Sequence, residues 1–442
     1  MDVNYPPKPF ALATATANAL EQLADQLVAE TLTESDDFIS RGCVVDKVQW
    51  KTLKTKDTVT AYRSRVNPSS KSRSRIDSED TDALAQFPEM PEFYPVTEKN
   101  IQSALSASYL GVSTTCPEAH DFDDGTPEFE DVLELQTMEK SRPKNSSVVF
   151  CTGFAAGTVE DAALGFLAET EARTRLRTSL CTEAQVDDVK ILAQIQGPTF
   201  DDPFRFLGVT WMALSTPGTA KRFLKSKPRD YLVLESSGMA LDSDGERFCY
   251  LLSHSVVLDQ VPELERFERQ TLSACHIIRP STTEEEVEIF SRGFKMTTKS
   301  LVERLSMNQY CDILLAVPQM IEEAYTRKLF WLLRTEARGV RSLRMALVPA
   351  EPGLALEACL SCNDKLSSGI GKLFDYSICV LCRQSACRKC TVKRVLPRQE
   401  AGNSKKKIAL KFCLKCYLEA KNLSAWQVGI NSLSVTDQEL IQ

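Results

Sequence analysis

Residues 379–390 read CVLCRQSACRKC and contain four cysteines arranged as two Cys-x2-Cys pairs. Two more pairs flank them, so that eight cysteines lie in one short part of the chain: Cys359, Cys362, Cys379, Cys382, Cys387, Cys390, Cys413 and Cys416. A Cys-x2-Cys turn directs two thiolates to one side, and two such turns supply the four ligands of a structural zinc site. The spacing therefore predicts a module with two zinc ions and no open coordination position for catalysis.

A disulfide framework and a redox pair are the alternatives for this pattern. The N-terminus has no basic segment ahead of a hydrophobic one, so no secretory signal is expected, and the predicted location is the cytoplasm, where thiols stay reduced. A redox Cys-x2-Cys would lie at a strand-to-helix turn in a thioredoxin-like context, which the pattern does not provide. The zinc interpretation is therefore favoured.

The gap of four residues between the two middle pairs and the longer last gap resemble those of the FYVE finger family. The flanks CTVKRVLP (390–397) and KFCLKCY (411–417) also resemble that family. The resemblance implies a cross-braced module over residues 353–420, in which the first cysteine pair joins the third and the second joins the fourth. One zinc ion would then be held by Cys359, Cys362, Cys387 and Cys390, and the other by Cys379, Cys382, Cys413 and Cys416. A RING-type ubiquitin ligase remains an alternative, although most RING fingers include a histidine ligand and residues 353–420 contain none.

The predicted module is basic, whereas the chain as a whole has a net charge of −7. It contains 13 Lys and Arg against 5 Asp and Glu, which indicates a local anionic partner and not a nucleic-acid-binding protein. FYVE fingers that bind phosphatidylinositol 3-phosphate have Trp and Asp before the first cysteine and a basic, histidine-containing run before the third. This chain has EPGLALEA (351–358) and DYSI (375–378) there. We therefore expect weak peripheral contact with anionic endomembranes and no selection of one phosphoinositide, through Lys393, Arg394, Lys405, Lys406, Lys407 and Lys411.

Upstream of this module, hydrophobic periodicity predicts strands interleaved with a few helices. Helices are predicted over 15–35, 159–176 and 308–335, with Pro318 kinking the last one or marking its true start. Strands are predicted at 48–53, 58–65, 146–153, 190–196, 204–214, 271–280 and 285–294, with a hairpin over 230–257. Residues 67–146 are polar with segregated charge, and we expect a largely disordered insert there.

This arrangement is an α+β layout, an antiparallel sheet with an N-terminal and a long C-terminal helix. It resembles the START-like helix-grip family, and the stretches that carry the likeness are DPFRFLGVTW (202–211), PRDYLVLESSGM (228–239), GERFCYLLSHSVVL (245–258) and RKLFWLL (327–333). The resemblance implies a START-like domain in residues 1–66 and 147–340, whose curved sheet wraps the last helix around a cavity for a lipid or sterol-like ligand. Residues 421–442 would form a C-terminal tail.

The resemblance also implies which polar side chains could line such a cavity, namely Arg229, Glu235 and His254. The chain has no glycine-rich phosphate loop, and neither His254 nor His276 has a serine or cysteine nucleophile pattern near it in the sequence. We therefore expect a non-enzymatic protein that binds, transfers or senses a lipid, with a zinc module that docks to a membrane or a protein partner. An interaction adaptor with a vestigial cavity is the alternative.

Overall fold

The computed structural model describes residues 5–65, 137–143, 146–182, 184–215, 227–283, 285–296, 300–335, 358–366, 376–397 and 407–433. Most of the predicted insert at 67–146 lies outside these residues, as do Lys405 and Lys406. The chain forms two compact units. The first comprises residues 1–155, 168–197 and 206–316, and the second comprises residues 156–167, 198–205 and 317–442.

The α-helices of the described residues are α1 (Thr14–Ser40), α2 (Thr137–Lys140), α3 (Val159–Phe166), α4 (Glu171–Cys181), α5 (Ser300–Leu314), α6 (Val317–Thr335), α7 (Leu414–Lys421) and α8 (Ala425–Leu433). The strands are β1 (Trp50–Lys56), β2 (Val59–Ser64), β3 (Val148–Ala156), β4 (Gln185–Gln196), β5 (Phe206–Ser215), β6 (Arg229–Leu241), β7 (Arg247–Ser255), β8 (Glu268–Arg269), β9 (Leu272–Pro280), β10 (Glu286–Lys295), β11 (Tyr376–Ile378), β12 (Ser385–Cys387), β13 (Thr391–Pro397) and β14 (Lys407–Cys413). None of the helices in the described part of the chain is long and apolar enough to cross a membrane.

The first unit is built on a ten-stranded sheet in the order β1-β2-β3-β10-β9-β7-β6-β5-β4, with β8 paired to β6. Neighbouring strands run antiparallel within β1-β2-β3 and from β10 through to β4, whereas β8 runs parallel to β6. Each predicted strand therefore corresponds to a strand of this sheet. The predicted hairpin is β6 and β7, and its turn contains Gly245 at φ +80°, a conformation that glycine adopts without steric cost.

One face of the sheet is covered by α1. Leu20, Ala24 and Leu27 of α1 are fully buried and share a hydrophobic core with strand residues such as Trp211 and Leu252. The leucine spacing that predicted this helix is therefore the spacing of its buried side, although the helix runs from Thr14 to Ser40, beyond both predicted ends.

The predicted helix at 159–176 is two helices in the structure. In α3 the side chain of Thr158 accepts a hydrogen bond from the backbone N–H of Asp161, whose carboxylate in turn accepts one from the backbone of Thr158. Thr170 caps α4 by accepting a hydrogen bond from the N–H of Arg173. A threonine at an N-cap accepts a hydrogen bond from a backbone N–H that has no partner within the helix. Such free N–H groups occur only where a helix begins. The second cap separates the two helices.

The predicted helix at 308–335 also divides in two, and Pro318 lies at the start of the second piece. Helix α5 ends at Leu314, and α6 begins at Val317. Proline lacks an N–H and is tolerated in the first helical turn, where that group has no partner within the helix. The proline therefore marks the start of a helix, which is the second of the two alternatives predicted from the sequence.

The second unit contains α6, α3, α7, α8 and the cysteine-rich strands β11 to β14. Its strands form two small antiparallel hairpins, β11-β12 and β13-β14. Helix α6 packs against α3, α7 and α8. The Arg327 guanidinium donates to the carbonyl oxygens of Leu164, at 2.7 Å, and Leu167, at 2.9 Å, and thereby satisfies free carbonyls at the end of α3.

Candidate functional site

The eight cysteines of the second unit form two quartets. In each quartet the four sulfur atoms lie within 4.8 Å of one another. The first quartet is Cys359, Cys362, Cys387 and Cys390, and the second is Cys379, Cys382, Cys413 and Cys416. These are the two groups that the FYVE resemblance predicts, with the first pair beside the third and the second beside the fourth.

The sulfur–sulfur distances distinguish a metal site from a disulfide. The Sγ atoms of Cys362 and Cys387 are 3.7 Å apart, and those of Cys382 and Cys413 are also 3.7 Å apart. A disulfide bond would require about 2.05 Å. Four thiolates at about 2.3 Å from a tetrahedral zinc ion lie about 3.8 Å from one another. The quartets are therefore compatible with two four-sulfur metal sites.

The surroundings of the sulfurs lower the pKa of Cys359, Cys379 and Cys382, whereas they raise the pKa of Cys362, Cys390, Cys413 and Cys416. The pKa of Cys379 lies well below its usual range because the thiols of Cys382, Cys413 and Cys416 hydrogen-bond to its sulfur. Backbone amides also point at sulfur atoms, since the N–H of Cys387 donates to Cys359 Sγ at 3.3 Å. A thiolate is the form of cysteine that binds metals.

The first two Cys-x2-Cys turns have the same backbone. The N–H of Asn363 donates to the carbonyl of Cys359 at 2.8 Å, and the N–H of Arg383 donates to the carbonyl of Cys379 at 2.9 Å. Asn363 and Arg383 both have φ +61°. This left-handed conformation is uncommon for non-glycine residues, so its occurrence directly after both pairs indicates that the two pairs form the same kind of turn.

Helix α6 belongs to the same hydrophobic core as the quartets. Leu329, Leu332 and Leu333 of α6 are buried in one cluster with Phe412, Leu410 and the quartet cysteines. The predicted boundaries assign α6 to the START-like region and the quartets to a separate module from residue 353, whereas the structure places both in one compact unit. The cysteine module of the described chain is therefore packed on a helix that precedes it in the sequence.

Polar contacts join the same helix to the module. Lys328 is 2 % exposed, and its ammonium lies 2.5 Å from the Asp161 carboxylate and donates to the Lys421 carbonyl at 3.0 Å. Glu322 pairs with Arg394 and accepts a hydrogen bond from the Tyr417 hydroxyl at 3.0 Å. These contacts hold α6 against α3, α7 and β13.

The basic residues predicted to meet an anionic surface are in different situations. Lys393 and Lys411 are exposed and face each other across β13 and β14. The Arg394 side chain points to the other side of the hairpin. There it forms an ion pair with Glu322 and donates a hydrogen bond to the Tyr417 hydroxyl. Lys407 begins β14, and its side chain lies outside the described part of the chain. Of the predicted residues whose side chains are described, Lys393 and Lys411 are therefore the exposed pair.

A second group of candidate residues lies on the sheet of the first unit, on the face opposite α1. Glu235 of β6 lies opposite Ser253, which lies opposite Ala274, which in turn lies opposite Gly293. Such cross-strand neighbours share a face, as do residues two apart along one strand. The polar face, as we call it, therefore also carries Thr210, Ser237, His276, Ser291 and Lys295, all at most 2 % exposed.

Helix α5 approaches the polar face closely at Gly293. The Tyr310 hydroxyl donates to the Ser273 carbonyl at 2.5 Å. A Cβ atom at position 293 would lie 2.3 Å from that hydroxyl oxygen and 2.0 Å from that carbonyl oxygen. Glycine is therefore required for this helix to pack on the sheet.

A buried ion pair lies on the polar face. Arg177 of α4 donates to Glu235 Oε1 at 2.6 Å, and the Thr210 hydroxyl donates to Glu235 Oε2 at 3.2 Å. Both charged side chains are buried. A buried carboxylate is stable only when it is paired and hydrogen-bonded, and here each oxygen has a partner. Glu235, a predicted pocket residue, is thus held by two residues that the sequence did not single out.

His276 lies on the same face and His254 does not. His276 Nδ1 is 2.8 Å from the Ser291 hydroxyl, and burial, with the nearby Arg177 charge, lowers its pKa to about 4. His254 lies opposite Leu234 of β6 and so on the face covered by α1. The register therefore prevents His254 and Glu235 from lining one cavity.

His254 nevertheless has a serine partner, as His276 does. Its Nδ1 is 2.9 Å from the Ser273 hydroxyl, and burial lowers its pKa to about 4. The serines next to His254 in the sequence, Ser253 and Ser255, are not its partner, and the two His–Ser pairs arise only when β9 pairs with β7 and β10. Both rings are neutral at pH 7.

Arg229, the third predicted pocket residue, lies at the start of β6. It shares a face with Glu235, six residues further along the strand, and is half-buried. Its guanidinium lies 3.5 Å from the Gln309 amide oxygen of α5. Arg229 and Glu235 are therefore both on the polar face, at different distances along β6.

No protein-family model matches the sequence, and no curated protein matches it. Among solved structures, human StAR-related lipid transfer protein 5 is similar at a TM-score of 0.35 and 10% identity, over 69% of this chain and 98% of that one. Human STARD10 is similar at a TM-score of 0.34 and 11% identity, over 71% and 88%. A STAR-related lipid transfer protein from Xanthomonas axonopodis is similar at 0.31 and 10%, over 62% and 99%. These scores and identities are low, so the fold description depends on the topology and contacts of this chain.

Proposed function

We propose that the first unit is a START-like lipid-binding domain and that the protein acts without catalysing a reaction. The support is the polar face, which places charged and hydroxyl side chains inside an otherwise apolar interior. Binding sites for small molecules combine mostly apolar walls with a few fixed polar groups that orient the ligand. The polar face supplies the fixed polar groups, and Tyr231, Val233 and Leu272 on the same face supply apolar wall.

The observation that carries the proposal is the exposure of Ser253. It lies in β7, near the middle of the sheet order, between Glu235 on one side and Ala274 on the other. Both neighbours are 2 % exposed, whereas Ser253 is only half-buried. A partly exposed side chain between buried neighbours has open space above it. We infer that the apolar part of a lipid lies in this space.

Lipid that copurifies with the full chain tests this proposal. We expect mass spectrometry to find one lipid class enriched with the wild-type protein and strongly reduced with Ser253→Phe, because the ring fills the space above β7. Ser40→Phe, which makes the same change at an exposed position of α1, should retain the lipid.

Absence of any enriched lipid in the wild-type preparation would instead favour the adaptor alternative. Equal lipid content in wild type, Ser253→Phe and Ser40→Phe would place the ligand elsewhere on the protein. Thermal unfolding of each variant, measured in parallel, separates a lost ligand from a lost fold.

In the second unit, we propose that each cysteine quartet holds one structural zinc ion. The four-sulfur donor set and the sulfur–sulfur separations support this choice of metal. A zinc ion with four thiolate ligands contributes folding free energy and offers no position to a substrate. The role of the metal is then to fold the unit that contains α6.

We further propose that Lys393 and Lys411 attract the second unit weakly to anionic membranes. Each basic residue near such a surface contributes about 1 kcal/mol. Lys393→Gln combined with Lys411→Gln should therefore lower partitioning onto phosphatidylserine vesicles by roughly tenfold or more, as measured by sedimentation. Raising the salt from about 0.1 M to about 1 M, which shortens the screening length from about 10 Å to about 3 Å, should release the wild type.

The matched control for this experiment is Lys47→Gln combined with Lys51→Gln, which removes two exposed lysines from the first unit. Its partitioning should be close to that of the wild type. Salt-resistant binding that prefers phosphatidylinositol 3-phosphate at matched charge would contradict the proposal of non-selective attraction.

A further inference from the structure

Lys295 is a buried cation at the end of the polar face. It is the last residue of β10, lies opposite Leu272 of β9, and is 2 % exposed. Its ammonium lies 5.6 Å from the centre of the Tyr231 ring of β6, a cation–π contact. No carboxylate among the described residues pairs with it.

The two other buried cations of the described chain each have a carboxylate. Arg177 contacts Glu235 at 2.6 Å, and Lys328 contacts Asp161 at 2.5 Å. A buried ammonium without a counter-charge is costly, and contact with an aromatic ring offsets only part of that cost. Among the described residues, Lys295 is therefore the buried cation that lacks a carboxylate partner.

The surroundings of Lys295 are apolar on the same face of the sheet. Tyr231, Val233 and Leu272 form a small buried cluster there, with Met212 and Leu214 packed against it. Arg229, two residues before Tyr231, brings a second positive charge to this end of β6. A ligand that suits these surroundings has a hydrocarbon part and an anionic end.

We propose that Lys295 binds the anionic group of an amphiphilic ligand on the polar face. This rests on the proposed lipid-binding function and adds the charge of the headgroup and the residue that recognises it. An ammonium recognises a carboxylate or a phosphate as a point charge, so the shared chemistry is a negative headgroup at the end of an acyl chain.

The test compares anionic and neutral lipids of equal chain length with the full chain. The probes are oleate with oleyl alcohol for a carboxylate, and 1-oleoyl lysophosphatidate with 1-oleoylglycerol for a phosphate, with affinity measured by calorimetry. We expect the wild type to prefer the anionic member of at least one pair by about tenfold or more. Lys295→Met should abolish that preference and change the affinity for the neutral member by no more than about twofold.

Two further variants complete the experiment. Lys295→Arg retains the charge and should retain the preference, whereas Lys51→Met, an exposed lysine of β1, should bind as the wild type does. Methionine matches lysine in length and removes a buried charge, so Lys295→Met is expected to fold. An unchanged anionic preference in Lys295→Met would overturn the assignment while leaving the lipid-binding proposal intact. Failure of the wild type to bind any of the four probes, together with the absence of copurifying lipid, would overturn both.

Discussion

Removal of metal from the two cysteine quartets is expected to unfold α6 together with the cysteine module. In the structure, Leu329, Leu332 and Leu333 of α6 are buried against the quartets and against Phe412. In small zinc modules, metal binding supplies on the order of 10–16 kcal/mol of folding free energy, which is comparable to the whole stability of a typical domain. Loss of the metal therefore leaves the buried side of α6 without a stable partner.

The measurement is hydrogen exchange with and without a strong chelator, on protein whose zinc content has been determined as two per chain. Peptides from residues 317–335 and 376–397 should both lose protection on chelation. Peptides from β6 and β7 should keep theirs, because every described residue of the hydrophobic core that they share with α1 belongs to the first unit. Protection that persists in 317–335 after complete metal removal would show that α6 is stable without the module.

A pair of cysteine variants provides the matched control. Cys416→Ser removes a buried ligand of the second quartet and should reduce the zinc content to about one per chain, with the same loss of protection in α6. Cys43→Ser changes an exposed cysteine outside both quartets and should leave two zinc ions bound. Equal zinc content in the two variants would contradict the ligand assignment.

The four Cys-x2-Cys pairs could be predicted from the sequence because their geometry is local, whereas the joining of the first pair with the third and the second with the fourth came from the FYVE resemblance. Two residues between cysteines place both sulfurs on one side of a turn, whatever the rest of the chain does. The strands were predictable for a similar reason, because short apolar runs bounded by turn residues indicate strands that are buried on both faces. What each of these segments packs against was not predictable in the same way. The buried side of α6 is visible in the sequence, but its partner is not, and this helix packs against the module.

The polar face shows where local reasoning stops. Arg177 and Glu235 are 58 residues apart in the sequence, and nothing in either segment indicates the other. His254 was predicted to line the same cavity as Glu235 because the START-like resemblance places its strand in the cavity wall. A shift of one residue in register exchanges the two faces of a strand, so only the pairing in the sheet decides that His276 and not His254 shares the face of Glu235.

Breaking the buried ion pair of the polar face should destabilise the first unit strongly. Glu235→Ala leaves the Arg177 guanidinium buried without a counter-charge, and removing one partner of such a pair typically costs about 3–5 kcal/mol. Glu171→Ala, on the helix that carries Arg177, breaks the Lys190–Glu171 pair instead, whose two atoms are 3.0 Å apart at partly exposed side chains. That change should cost about 0–1 kcal/mol. Urea-dependent hydrogen exchange in β6 and β7 measures both.

The double variant Arg177→Met with Glu235→Leu separates stability from ligand binding. It replaces both charges by apolar side chains, and exchanging a buried ion pair for apolar residues is often neutral or stabilising by about 1–4 kcal/mol. If the pair serves only the fold, the double variant should regain wild-type protection and still copurify with lipid. If it regains protection and loses the lipid, the pair is retained for the ligand, because Glu235 lies beside the open space at Ser253. The double variant carries neither charge of the pair. If it were as unstable as Glu235→Ala, this would contradict the premise that an uncompensated buried charge lowers the stability of Glu235→Ala.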